Sequence, residues 1–510
     1  MKITLITPTP PDINAFGARI LSSVLKNEGW KTQLIFLPGG IEHLRSDSSY
    51  VYQYPEKTLQ QIGDICADTD LIAFSVMSLY FDRAAQISRY LRERFTTPII
   101  WGGVHPTYRP EHSLEYADII CVGEGEFPIR ELTRRMSAGD KRRDIPGCWF
   151  KTDGEILKNK PAPIIQNLDE LPFVDYDIAD HFVFQWRTGD VVRIDEKTMK
   201  EQFLKLPYFH DTHRIAYRTM TSRGCPHKCS YCASSATMQL RRRSVANVML
   251  ELEDILRRFP YIELISFFDD TFFAAPVEYF EEFRDQYKKR IGLPFHAQCS
   301  PTTLTEKKLT LLLDAGLYYT EMGIQTGSDR IKKMYRRMDS NEKMIEAASL
   351  LNKYRSQMLV PDYHVILDNP WETKEDVQDT LRLLLSLPGK FRLQISSLVF
   401  FPGTELNDRA RREGLLKDEL KEVCRKPFTH PKGTYLNYLI FLSGFPAVPR
   451  WLLRLLSREG FVKVFHSQEP SPVYHVLVGL TNRTRLVLKG VKAVLTGDIG
   501  RIINYFKLAR

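Results

Sequence analysis

The chain of 510 residues has no window of about 18 uninterrupted apolar residues, so no transmembrane helix is expected. Its start, Met1-Lys2-Ile3-Thr4-Leu5-Ile6-Thr7-Pro8, is too briefly apolar for a signal peptide and meets proline at once. No low-complexity tract and no repeat is visible. Cysteine is sparse at eight residues, of which Cys66, Cys121, Cys148, Cys299 and Cys424 are scattered rather than set out as a disulfide framework. We expect reduced thiols and a cytoplasmic protein. The remaining composition, 43% apolar and 26% charged, is that of a globular protein long enough for two or three domains.

The other three cysteines stand close together. Ser222-Arg223-Gly224-Cys225-Pro226-His227-Lys228-Cys229-Ser230-Tyr231-Cys232 spaces them C-x3-C-x2-C, directly after the apolar-alternating run Ala216 to Met220. Gly224 and Pro226 end that strand, which puts the thiols on a tight loop at its carboxyl end. Three close thiolates suit an iron–sulfur cubane whose fourth iron stays open to an outside ligand. The same spacing serves zinc if His227 supplies a fourth ligand.

Upstream, short apolar runs alternate with amphipathic stretches: Ile3 to Thr7, Gly17 to Glu28, Thr32 to Leu37, Leu59 to Ala67, Leu71 to Ser78, Ala84 to Phe95, Pro98 to Trp101, Ile119 to Val122 and Pro128 to Met136. Continuous apolar strands alternating with helices predict a doubly wound, Rossmann-like parallel sheet over residues 1–140, binding its ligand at the carboxyl ends of the strands. Unusual residues gather at those ends: Asp12, Asn14 and Gly17 after the first strand, Ser75 and Met77 after the third, Gly102, Gly103 and His105 after the fourth, and Glu124 and Gly125 after the fifth. Glycines there let backbone approach a bulky ligand, and Ser or Glu supplies polar contacts. A lone His such as His105 reads as a structural hydrogen-bonding residue. Residues 141–214, with several prolines and no long periodic run, read as a linker or small cap.

From residue 215 to 418 six strand candidates are separated by helical stretches: Ala216 to Met220, Glu263 to Phe268, Phe295 to Ser300, Tyr319 to Gln325, Tyr363 to Leu367 and Leu393 to Phe401. Right-handed crossovers would roll them into an open, partial (β/α)6 barrel with chemistry at the strands' carboxyl ends. The second strand ends in Asp269-Asp270, paired carboxylates able to accept hydrogen bonds from an ammonium group, or to cap the next helix. Cys299 reads as an inert core thiol. Residues 419–510 read as mostly helical and basic. Arg450 to Arg510 carry eleven Lys/Arg against Glu459, Glu469 and Asp498, a balance of +8 within a net +9. Such a segment suits a helical cap with a solvated basic face, and equally a peripheral contact with an anionic membrane surface. No motif for nucleic acid accompanies the charge.

The cysteine spacing, with an aromatic just before the last Cys, resembles the signature of the radical S-adenosylmethionine (SAM) enzymes. The first domain resembles the cobalamin-binding domain, in which a D-x-H-x-x-G loop, a Ser-bearing strand end and a Gly-Gly turn hold the cofactor. Here the position of the cobalt-ligating His is Asn14, so a lower face without histidine is expected. The domain order is similar to the cobalamin-dependent radical SAM proteins, which include methyltransferases and the anaerobic Mg-protoporphyrin monomethyl ester cyclase. The resemblance implies a [4Fe–4S] cluster on Cys225, Cys229 and Cys232, and SAM near Tyr231, Asp269, Asp270, Gln325, Thr326 and Pro402. It places cobalamin near Asp12, Asn14, Gly17, Ser75, Met77, Gly102, Gly103, Glu124 and Gly125. At the fifth strand relatives carry Gly-x-Pro-x-Glu-Thr where this chain has Asp368-Asn369-Pro370 before Glu372-Thr373.

By that analogy the expected reaction is reductive cleavage of SAM to a 5′-deoxyadenosyl radical and methylation of an unactivated carbon through methylcobalamin. An electron donor such as flavodoxin or ferredoxin would serve it. The hydrophobic tail suggests a lipid, isoprenoid or tetrapyrrole substrate, and no catalytic side chain is singled out. Two alternatives stand beside it: a radical cyclase or rearrangement enzyme without methyl transfer, and a non-enzymatic metal- or corrinoid-binding protein.

Overall fold

The computed structural model describes residues 1–8, 13–38, 52–152, 154–206, 213–234, 239–467 and 469–495. It divides into two compact units. The first comprises Met1–Leu204, Ile215–Pro294 and Val399–Pro427, and the second comprises Lys205–Arg214, Phe295–Leu398 and Phe428–Arg510.

In the first unit the expected strands form: β1 (Lys2–Thr7), β2 (Lys31–Phe36), β3 (Leu71–Ser75), β4 (Ile99–Gly102) and β5 (Ile119–Cys121). They pair in parallel in the order β5-β4-β3-β1-β2. Ile3, Ile6, Leu34, Ile35, Leu71 and Ile72 are fully buried, because helices cover both faces of a parallel sheet. Strand order reverses at β1, which pairs with both β2 and β3, and the crevice for a ligand in such sheets opens at that switch point.

Residues 141–214, expected to run between domains, instead supply β6 (Cys148–Thr152), β7 (Glu155–Lys158), β8 (His181–Gln185), β9 (Asp190–Arg193) and the short β10 (Leu204–Leu206). β6 and β7 extend the sheet antiparallel beyond β5, and β8 and β9 form a hairpin beyond β2, giving nine strands. All four residues of β7 are exposed, so this edge strand lacks the buried face that makes a strand visible as an apolar pattern.

The first unit also holds β11 (Arg214–Thr219), the short antiparallel pair β12 (Ser222–Arg223) and β13 (Arg241–Arg242), and β14 (Leu264–Phe267), which runs parallel to β11. In the second unit β15 (Phe295–Cys299), β16 (Leu317–Gln325), β17 (Asp362–Leu367) and β18 (Arg392–Ser397) pair in parallel in chain order. These six β/α repeats are the ones read from the sequence. The helices have local reasons to start where they do: Ser244, Thr305, Ser328, Ser340, Thr373 and Thr404 each accept a hydrogen bond from a first-turn amide.

In the second unit the chain finishes as helices Tyr435–Ser443, Arg450–Leu456, Glu459–Phe465 and Pro472–Leu495. Arg450 donates to the carbonyls of Leu387 and Gly389, and Arg454 to that of Leu385, capping the carboxyl end of helix Lys374–Ser386. Among the described residues no helix is long and apolar enough to cross a membrane.

Candidate active site

The cysteine loop follows β12 and is held from behind by one carboxylate. Asp269, fully buried just after β14, accepts from the Thr221 amide at 3.0 Å, the Thr221 hydroxyl at 2.8 Å and the Ser222 hydroxyl at 2.5 Å. Its oxygens are therefore committed to the strand that leads into Cys225. Asp270 is turned the other way, exposed, with the Ser234 side chain as its partner. The two adjacent acids do not act as a pair: one builds the loop and the other faces outward, as alternation along an extended chain requires.

None of Cys225, Cys229 and Cys232 is in a disulfide; Cys229 is buried and the other two are half-buried. The Cys225 sulfur lies 3.6 Å from the Thr271 hydroxyl, and the Cys232 amide donates to the Cys229 carbonyl at 3.1 Å. Gly224 has φ +85°, a turn that a side chain would resist. Among the described residues no group of three or more His, Cys, Asp or Glu side chains is arranged to hold a single metal ion. A cubane asks for something else, since each thiolate binds its own iron. Three thiols within eight residues of one loop, two of them half-buried, fit that demand.

Loops at the carboxyl ends of β4 and β5 meet this cysteine loop. Arg223, two residues before Cys225, donates to Glu126 at 2.5 Å and pairs with Glu124 at 3.4 Å. Arg241 of β13 grips Glu124 through both terminal nitrogens, at 3.0 and 2.5 Å. Tyr108, six residues past Gly102, donates its hydroxyl to the Ala233 carbonyl at 3.3 Å. A Cβ on Gly403 would lie 2.1 Å from the Tyr108 ring, so the turn Phe401-Pro402-Gly403-Thr404, with φ +80° at Gly403, admits only glycine there. Pro402 is buried in that turn, and the Leu406 amide donates to the Ser230 carbonyl at 3.0 Å. Tyr231 is half-buried on the cysteine loop.

Of the residues assigned to cobalamin, Asp12 lies outside the described residues. Asn14 is buried and its side-chain oxygen accepts from the Tyr176 hydroxyl at 2.9 Å. Glu124 is engaged by the two arginines, a use its Gly-Glu-Gly setting did not reveal. Ser75 is half-buried and Met77 is 44% exposed at the end of β3. Gly17 has open space where a Cβ would stand, in a helix whose first turn has neither a side-chain cap nor an acidic residue. Gly103 has φ +103° and no room for a Cβ, which would sit 2.9 Å from the Val76 carbonyl oxygen; Gly102 and Gly125 pack in ordinary contact with Cys121 and Leu21. Bare backbone and an uncapped helix start at the switch point fit a large ligand with a polar tail.

His105 is buried, with Nδ1 3.1 Å from the Ser78 hydroxyl and Nε2 3.3 Å from His112 Nδ1. Burial, with His112 and Arg109 nearby, pushes its pKa down to about 3, so the ring is neutral and both nitrogens are in use. It borders a cavity of about 530 Å³ shared with Arg109, His112 and Arg411.

In the second unit, Gln325 ends β16 with φ +67° and Asp368 follows β17 with φ +63°. A non-glycine residue in this left-handed region stores strain. The Asp368 position, glycine in the family pattern, thus keeps a glycine-like backbone, and its carboxylate accepts from the Lys432 amide at 2.8 Å and the Asn437 amide group at 2.9 Å. Thr326 is buried, with its hydroxyl 3.1 Å from that of Thr380.

Sequence reading missed a cluster on one face of these strands. Glu321 lies 3.0 Å from His364 and 3.6 Å from His296, and accepts from the Tyr319 hydroxyl at 3.1 Å; that hydroxyl also donates to Asp362 at 2.7 Å. Burial raises the Glu321 carboxyl, but the His364 hydrogen bond and the charge of His296 outweigh it and hold it down at about 2. The partners come from β15, β16 and β17, and only their even spacing along each strand hinted at one face. Glu372, by contrast, is pushed up to about 8 by burial. Cys299 is buried and its thiol is pushed up to about 12, which makes it inert, as expected.

Known proteins resemble both the first domain and the barrel. The pattern of the Radical SAM superfamily matches residues 219–384, and that of the B12 binding domain matches residues 3–133. An uncharacterized methyltransferase of Pyrococcus horikoshii is 27% identical over 359 residues, covering 68% of this chain and 71% of its own. The cobalamin-dependent radical SAM methyltransferase TokK of Streptomyces tokunonensis is 22% identical over 76% of this chain and 56% of its own. The anaerobic magnesium-protoporphyrin IX monomethyl ester cyclase of Synechocystis is 26% identical over 46% and 42%. Among solved structures, the radical SAM methyltransferase TsrM of Kitasatospora setae, with tryptophan and a SAM analogue bound, superposes with TM-score 0.64 at 16% identity, covering 81% of this chain and 76% of that one. The likeness establishes the fold, a doubly wound B12-binding domain followed by a partial radical SAM barrel. The chain is a radical SAM enzyme with a B12-binding domain, and the cofactors of its two families are a [4Fe–4S] cluster with SAM, and cobalamin.

Proposed function

We propose that this chain is a cobalamin-dependent radical SAM methyltransferase acting on carbon of a small, largely apolar molecule. The observation that carries the proposal is the bonding of the β4 and β5 carboxyl-end loops to the cysteine loop, through Tyr108 to Ala233 and Glu124/Glu126 to Arg223/Arg241. The loops that would hold a ligand in the sheet's crevice and a cluster are thereby tied to one another by charge pairs.

Cys225, Cys229 and Cys232 would hold the cluster, which with SAM supplies a carbon-centred radical on one-electron reduction, while cobalamin supplies the methyl carrier. The chain's own residues prepare the site. Asp269 fixes the strand that delivers the loop, and exposed Asp270 offers a carboxylate to the SAM ammonium group. Tyr231 and buried Pro402 offer apolar surface to the adenosine. Gln325 offers its amide from a strained strand end, and Thr326, held by Thr380, sets that turn. Asn14, Gly17, Ser75, Met77, Gly102, Gly103 and Gly125 would line the corrin crevice. Asn14, held by the Tyr176 hydroxyl, would offer an amide where the family pattern has a histidine; Glu124 would support the site through Arg241. A flavodoxin or ferredoxin would supply electrons.

The test is anaerobic incubation with SAM, cobalamin and reductant. 5′-Deoxyadenosine together with S-adenosylhomocysteine is the expected outcome. Deoxyadenosine alone would move the chain to the cyclase reading, and neither product would leave a binding protein.

A further inference from the structure

The described chain exposes twenty large apolar side chains, and ten of them lie between Trp451 and Val491. In the long helix Pro472–Leu495 the inner side is occupied. Thr481 meets the Tyr438 hydroxyl at 3.1 Å, Arg485 lies over the Phe445 ring and Tyr474 packs on Tyr435. The outer side carries Val473, Val476, Leu480, Val487 and Val491, the last four at 3, 7, 14 and 18 residues from the first, one stripe along about 27 Å of helix. Each is at least half exposed, from 50% at Val491 to 64% at Val487. Trp451 at 65% and Val464 at 73% continue the apolar exposure on the two preceding helices. Soluble surfaces do not concentrate apolar residues this way without a partner.

The charge around the stripe says which partner. Residues 450–495 balance to +6, eight Lys/Arg against Glu459 and Glu469. A second copy of this face would bring like charge against like charge, whereas an anionic bilayer neutralises it. A helix with an apolar outer stripe, in a basic segment and with too little length of apolar sequence to cross, lies in the headgroup plane. We propose that the helices from Trp451 to Val491 dock the enzyme on the surface of an anionic lipid bilayer, with the Val473–Val491 stripe inserted at the acyl boundary. The proposal stands apart from the methyl-transfer reading, since it needs no cofactor.

The test is flotation of the full chain with vesicles of phosphatidylcholine, with and without phosphatidylglycerol. Binding should be at least about tenfold tighter to the anionic vesicles and should weaken with salt. Leu480→Glu with Val487→Glu, both exposed and so compatible with folding, should reduce it about tenfold or more. Leu250→Glu, an exposed apolar residue in the first unit, should leave it unchanged. Three results overturn the proposal: no binding by the unaltered chain, full binding by the double variant at unchanged Tm, or a dimer in size exclusion that the double variant dissolves while vesicles are ignored.

Discussion

Replacing Asp269 by Ala tests the support of the cysteine loop. The side chain is fully buried and takes three donors, the Thr221 amide, the Thr221 hydroxyl and the Ser222 hydroxyl, which are themselves buried. A buried donor left without an acceptor costs about 1–3 kcal/mol, so three cost at least about 3 kcal/mol even if the hydroxyls re-aim. Relief from burying a carboxylate, whose pKa burial pushes up, offsets part of this. A net loss of about 2–3 kcal/mol corresponds to a rise in local opening of about 30- to 140-fold by the 1.4 kcal/mol per decade rule. Hydrogen exchange read by mass spectrometry is the assay. A peptide over residues 214–224 should exchange faster by that factor, with a peptide over 306–315 in the other unit unchanged. Asp269→Asn, which keeps one acceptor, should fall between. The reconstituted Ala variant should also hold less iron per chain. If the 214–224 peptide exchanges at the unaltered rate in the Ala variant, the assignment of Asp269 as the loop's anchor is wrong.

Glu321 makes the second unit acid-sensitive. Its folded pKa of about 2 lies below the ordinary carboxylate value, so its contribution is present above about pH 4.5 and lost as pH falls toward 2. The shift corresponds to about 3 kcal/mol, and His364→Gln should remove much of it and flatten the fall in urea midpoint between pH 5 and 3. An equally steep fall in the variant would contradict this. Gly403→Ala combines φ +80° with a Cβ 2.1 Å from the Tyr108 ring, and should cost about 2–4 kcal/mol in chemical unfolding. Adding Tyr108→Ala should return the clash but not the backbone strain, so complete recovery would refute the second part. Arg241→Ala or Glu124→Ala should each cost about 2–3 kcal/mol, less than a fully stripped buried pair, since Glu124 keeps Arg223 and Arg241 keeps the Ile165 carbonyl. Their combination should fall short of the sum by about 1–3 kcal/mol, and strict additivity would mean that the pair does not interact.

Residues whose meaning is local were legible in the sequence, and those whose meaning depends on a distant partner were not. The cysteine loop, the five parallel strands and the six β/α repeats carry their own signal, because a strand buried on both faces must be continuously apolar, as Ile3 to Thr7 and Leu71 to Ser75 are. β7 carries no such signal, being exposed throughout. Asp269 and Asp270 look alike as letters, and only the fold shows that one is spent on Thr221 and Ser222. Glu124 has a glycine on either side and reads as a ligand contact, yet its partner Arg241 is 117 residues away. The Glu321, His364 and Tyr319 cluster is assembled by parallel pairing of strands about 40 residues apart, and no motif announces it.

The account rests on a cubane with one iron that no cysteine covers. Mössbauer spectroscopy of the anaerobically reconstituted chain, before and after SAM is added, measures that iron directly. We predict a [4Fe–4S] spectrum in which one site alone changes with SAM, lost when Cys225, Cys229 and Cys232 are replaced by Ala. A chain that takes up zinc in place of iron, or a cluster spectrum indifferent to SAM, would contradict it.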